Sequence, residues 1–258
     1  MNIRPQNVLI VGGSEGIGFS TAEELLKNGV RNIYIASRSM AKLERAAEKL
    51  RQQYAANIFF GSFDISNCSA HLSFLDSVKK EMGAIPDGLV ISAGVHKDSG
   101  HWRGFNMSEA DWDLVINTNL KGVFFLIRNY SNWMIRAKAR GNICVVSSQA
   151  ARRDLLGAYQ ISKNAISGVI HAYGKHLFER GITLNGIEPG LVDTPMMSYF
   201  KGFTDGIREG KSFPDNSMHR LIRPEEIAGL ICFLMSDASD VLSGTVLLAN
   251  GGAKSIPR

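Results

Sequence analysis

Short runs rich in apolar and β-branched residues alternate along the chain with longer stretches whose apolar positions recur every three or four residues. The short runs fall at 8–11, 32–36, 58–60, 89–92, 143–147, 182–187 and 245–248 and predict strands. The longer ones, at 17–28, 39–55, 68–82, 109–136, 156–180 and 224–236, predict helices. This alternation predicts an α/β fold, doubly wound: right-handed crossovers join parallel strands, and helices cover both faces of the sheet. No repeat or linker interrupts the order, so 1–258 reads as a single domain. Gly29 after Asn28 stops the first helix, and Pro224 with Glu225 and Glu226 starts the last.

Two stretches escape both periods and are expected to shape a ligand pocket. One is 95–105, with His96, Lys97, His101, Trp102 and Arg103. The other, 195–221, carries Met196, Met197, Tyr199, Phe200, Phe203 and Phe213, and reads as a lid. Its apolar side chains either meet a partly hydrophobic substrate or pack the closed lid on the body.

A hydrophobic content of 45% with 21% charged residues excludes a disordered chain. The net charge of +5 is spread without a basic run, so nucleic acid is not an expected partner. Cys68, Cys144 and Cys232 stand far apart, with neither Cys-x-x-Cys nor histidine spacing around them. They are expected to pack as small apolar side chains, and no metal site is indicated. No apolar run reaches the length of a membrane span or a signal peptide, and a cytoplasmic protein is expected.

The first strand runs into Gly12, Gly13, Ser14, Glu15, Gly16, Ile17 and Gly18 before a helical pattern. Glycines there let a pyrophosphate approach backbone N–H groups at a positive helix N-terminus, the variant Gly-x-x-x-Gly-x-Gly of a dinucleotide fingerprint. The second strand ends in Ser37 and Arg38 with no acid, which favours NADP(H) over NAD(H), because an arginine accommodates a 2′-phosphate. Lys42 is a second basic candidate, whereas Glu15 opposes a phosphate if it faces one. Asp64 closes the third strand and either accepts from an adenine amino group or caps the next helix. Ala93 and Gly94 end the fourth strand with the small residues that a close cofactor needs. Asn119, among Val115, Ile116, Leu120, Val123 and Phe124, needs partners; it is either a structural bond-maker or the holder of a water beside an active site.

Tyr159 and Lys163, four apart in a predicted helix, lie about 5–6 Å apart at Cβ. Lowering a tyrosine pKa by two or three units takes roughly 3–4 kcal/mol. An ammonium about 5 Å away supplies roughly 3 kcal/mol at an effective dielectric of 20. Ser148, across a short loop, is placed to hydrogen-bond the oxygen that gains or loses the proton.

The joint order of Gly12-x-x-x-Gly16-x-Gly18, Asp64, Ala93-Gly94, Asn119, Ser148, Tyr159-x-x-x-Lys163 and Pro189-Gly190 with Thr194 resembles the short-chain dehydrogenase/reductase family from about residue 8 to 252. The resemblance implies a Rossmann-type seven-stranded sheet, order 3-2-1-4-5-6-7, and hydride transfer between a nicotinamide cofactor and a small-molecule carbonyl or alcohol. It implies Tyr159 as acid/base, Ser148 as the group polarising the substrate oxygen, Lys163 on the nicotinamide ribose and Asn119 on a relay water. Ser14, Glu15 and Ile17 in the glycine turn, Ile65 after Asp64, and Leu191, Val192 and Thr194 after Pro189-Gly190 would contact the cofactor. A homotetramer or homodimer is implied as well, through the helices at 109–136 and 156–180.

Some positions depart from the family pattern. Val11 replaces a usual Thr, Ile91-Ser92 a usual Asn-Asn, and Asn250 a usual Asp. The interval from Ser148 to Tyr159 is two residues short, which leaves Ser147 as an alternative for the serine role. Lys163 four after Tyr159 argues against the divergent enoyl reductases. Arg152 and Arg153 in the short loop, with Lys97 and Arg103, either attract an anionic substrate or form a solvated rim. Three functions remain open: a general carbonyl reductase, a 3-oxoacyl carrier-protein reductase, and a non-catalytic NADP(H)-sensing protein.

Overall fold

A computed structural model describes residues 2–97, 106–153, 157–200, 206 and 216–253. Seven parallel strands form one sheet in the order β3-β2-β1-β4-β5-β6-β7. They are β1 (Asn7–Val11), β2 (Asn32–Ser37), β3 (Asn57–Ser62), β4 (Gly88–Ile91), β5 (Gly141–Val146), β6 (Ile182–Pro189) and β7 (Val246–Ala249). The order reverses direction beside β1, between β1 and β4, which opens a crevice at the carboxyl ends of the strands.

Alternation within each apolar run builds two cores. Val8 and Ile10 of β1 face a layer of α1 (Gly16–Lys27), α2 (Met40–Gln53) and the last helix. Leu9 and Val11 face α3 (His71–Met82), α5 (Val123–Arg136) and α6 (Ala158–Phe178). Cys144 is fully buried in the first core, as is Cys232 from the last helix, α7 (Pro224–Leu234), and burial pushes both thiols up. Cys68 is half-buried at the start of a 3-10 turn.

The single helix expected at 109–136 is corrected. It runs as α4 (Glu109–Ile116), a π-helical segment Asn117–Gly122, and α5. A Cβ on Gly122 would lie 2.4 Å from the Ile65 carbonyl oxygen, so the segment can press against the loop after β3 only with glycine there. The helix expected at 68–82 starts as a 3-10 turn, Cys68–Ala70, before α3. Of the expected lid, Pro195–Phe200 is a 3-10 helix, whereas Phe203 and Phe213 lie outside the described residues, as do His101, Trp102 and Arg103.

Candidate active site

The carboxyl ends of the strands open on a cavity of about 750 Å³. Every residue proposed from sequence for the cofactor or the chemistry lines it, except Gly13, Gly18, Lys42 and Asn119. Gly18 acts from beneath: a Cβ there would meet the Gly12 carbonyl oxygen at 2.1 Å, so glycine brings α1 down onto the turn. Glu15, the N-cap, makes no side-chain cap, and the first N–H groups of α1 are left for a ligand acceptor.

At the β2 end of the cavity, Ser37 carries a buried hydroxyl with no hydrogen-bond partner among the described residues, beside Arg38. Such an orphan fits a ligand oxygen. Lys42 is committed elsewhere: its Nζ pairs with Glu15 at 2.8 Å, which neutralises the acid of the glycine turn. Asp64 does not cap a helix. Its Oδ1 accepts from the Ser66 N–H and hydroxyl at 2.9 and 2.7 Å, a local turn, and the residue lines the cavity.

At the other end α6 begins with Gly157 as an extended N-cap, so Tyr159 sits in its first turn and Lys163 one turn deeper. The Lys163 Nζ lies 5.7 Å from the Tyr159 ring centre and donates to the Val146 carbonyl at 3.0 Å. Burial lowers its pKa from the usual lysine range to about 8. Gly94 lies beside it: a Cβ there would stand 3.5 Å from Nζ, an ordinary contact distance. His96 packs on Tyr159, ring centres 4.5 Å apart.

The two serines differ in commitment. Ser147 Oγ donates to the Lys163 carbonyl at 3.0 Å and lies 3.1 Å from Ser167 Oγ, both buried contacts. Ser148 Oγ accepts from the Ala150 N–H at 3.1 Å, which leaves its own proton to donate into the cavity. Asn119 clamps the Val95 backbone in both directions, its Oδ1 accepting from Val95 N–H and its Nδ2 donating to Val95 C=O, each at 2.8 Å.

Sequence reading missed several cavity residues, among them Gln149, Gln160 and Asn216. Gln160 follows Tyr159 without any spacing signal, and Asn216 belongs to the 195–221 stretch expected to shape the pocket, which was read for its apolar side chains. Glu188 was also missed, although an acid inside the apolar run of β6 is a legible anomaly. Its buried carboxylate pairs with Arg152 and accepts from Ser167 Oγ at 2.8 Å.

A family model described as Enoyl-(Acyl carrier protein) reductase matches residues 11–254. The chain belongs to the short-chain dehydrogenase/reductase family. As a member it is an oxidoreductase of carbonyl and hydroxyl groups that uses a nicotinamide cofactor. Its relatives include a 3-oxoacyl-[acyl-carrier-protein] reductase of Chlamydia trachomatis, 32% identical with 96% of each chain covered. An acetoacetyl-CoA reductase of Shinella zoogloeoides is 30% identical, with 95% of this chain and 96% of that one covered. Among solved structures, a short-chain type dehydrogenase/reductase from Mycobacterium marinum shares the fold, with a TM-score of 0.88 at 22% identity over 99% and 98% of the two chains. The 3-oxoacyl-[acyl-carrier protein] reductase of Brucella melitensis matches with a TM-score of 0.81 at 25% identity, covering 98% and 96%.

Proposed function

We propose that this short-chain dehydrogenase/reductase is an NADPH-dependent carbonyl reductase in which Tyr159 is the proton donor. One observation carries the reading: Tyr159, Lys163 and Ser148 share a cavity with the glycine turn and with Ser37 and Arg38. The N-terminus of α1 suits a pyrophosphate, and Ser37 and Arg38 suit a 2′-phosphate. When bound, the reduced nicotinamide supplies hydride to the substrate carbonyl carbon.

The chain's own groups then manage the oxygen. Ser148 donates a hydrogen bond to the carbonyl oxygen, and the Tyr159 hydroxyl delivers the proton as negative charge builds there. Protonated Lys163 stabilises the charge left on the tyrosine oxygen. The hydroxyl of Ser147 is already bonded to Lys163 and therefore braces α6, which favours Ser148 for the substrate. Asn119 fixes Val95 and with it the wall beneath His96, the bond-making alternative for this residue.

A second reading, reduction of a 3-oxoacyl thioester, is favoured by the names of the relatives. Both are tested by NADPH oxidation with a panel of ketones, 3-oxoacyl thioesters and 2-enoyl thioesters. Tyr159→Phe is expected to lose at least a hundredfold in kcat, and Arg38→Asp to lose the preference for NADPH over NADH. A fully active Tyr159→Phe variant, or turnover of enoyl substrates alone, overturns the assignment.

A further inference from the structure

The two adjacent arginines of the short loop have different surroundings. Arg152 ends the 3-10 turn Gln149–Arg152 and pairs with the buried carboxylate of Glu188, so its charge is balanced within the protein. The backbone then becomes extended at Arg153, φ −102° and ψ 179°, and Arg153 lines the cavity. Its side chain makes no ion pair or hydrogen bond among the described residues. Among the described lining residues three side chains are cationic: Arg38, Lys163 and Arg153. The first two sit where the dinucleotide and the reacting tyrosine account for them. The carboxylates among the described lining residues are Glu15, tied to Lys42, and Asp64, both on the dinucleotide side. Among the described residues, then, Arg153 brings to the cavity that Tyr159 lines a positive charge paired with no carboxylate, on a half-buried guanidinium whose planar fork matches a carboxylate.

We propose that Arg153 binds the carboxylate of an oxo-acid substrate whose ketone is reduced at Tyr159. The Glu188–Arg152 pair serves this site by anchoring the preceding turn. Asn164 Nδ2 adds a second anchor, donating to the Ala151 carbonyl at 2.8 Å. This assignment rests on the carbonyl-reductase reading for its chemistry, though not for its binding.

The test compares 3-, 4- and 5-oxo acids, each with its methyl ester, in wild type, Arg153→Met and Arg153→Lys. Kinetics with NADPH are paired with calorimetric binding of the same compounds in the presence of NADP+, where no reduction occurs. Wild type is expected to favour at least one acid over its ester. Arg153→Met should raise KM and Kd for that acid at least tenfold while changing the ester by less than about twofold. Arg153→Lys should fall between, and added salt should weaken the acid alone. Equal losses for acid and ester, or no loss for the acid, overturn the site. If wild type binds the acid through Arg153 but reduces nothing, the reductase reading fails and the anion site stands.

Discussion

Lys163 shows how a single residue places function against stability. Its Nζ is buried, and its pKa of about 8 lies below the ordinary value of 10.5. Between these values the unfolded chain binds more protons than the folded one, so stability of the unliganded protein rises with pH across that window. Below pH 8 the folded chain bears the whole cost of charging the buried amine, roughly 3 kcal/mol. Lys163→Met is therefore expected to be more stable than wild type at pH 7 by roughly 2–3 kcal/mol and to lose the climb between pH 8 and 10.5. Urea denaturation across this range checks it; a variant that is less stable at pH 7 and keeps the climb contradicts it. The spacing of Tyr159 and Lys163 was legible in the sequence. That Ser147 braces α6 was not, because it depends on a 3.0 Å contact with a backbone carbonyl sixteen residues away.

The elements were read closely where period and burial agree, and less well where a local contact overrides the period. All seven strands lie within two residues of their expected bounds, because each is an apolar run closed by small or polar residues. The break of 109–136 at Asn117–Gly122 has no periodic signature; it follows from the contact between Gly122 and Ile65 and from the turning of Asn119 to Val95. The loop before α6 is another such case. Its turn is held on β6 by the Glu188–Arg152 pair, with Arg152 39% exposed and Glu188 3%. Partial exposure of the arginine moderates what the pair is worth. Arg152→Ala is expected to destabilise by about 1–2 kcal/mol, and Glu188→Gln, which keeps the shape and the bond to Ser167, by less. Equilibrium unfolding of the two variants tests this order. The reverse order, with the glutamine variant less stable, would show that the bond to Ser167 rather than the ion pair holds the loop.

At the scale of the whole molecule, α4, α5 and α6 expose Trp112, Ile135 and Phe178. A second copy covering such apolar side chains would remove them from water. We expect a dimer or tetramer by light scattering at micromolar concentration, and a monomer there overturns the expectation. By itself the sequence determined the parallel sheet, its two covered faces, the glycine turn and the Tyr159–Lys163 pair. These follow from periodicity, steric freedom and spacing within one element, all of which are local along the chain. Only the tertiary structure decided which serine is free to donate, that Lys42 neutralises Glu15, and that among the described residues Ser37 is left without a partner and Arg152 is balanced by Glu188 while Arg153 is not. Each of these is a pairing between distant residues, and charge or hydrogen-bond balance exists only once the fold has brought both partners together.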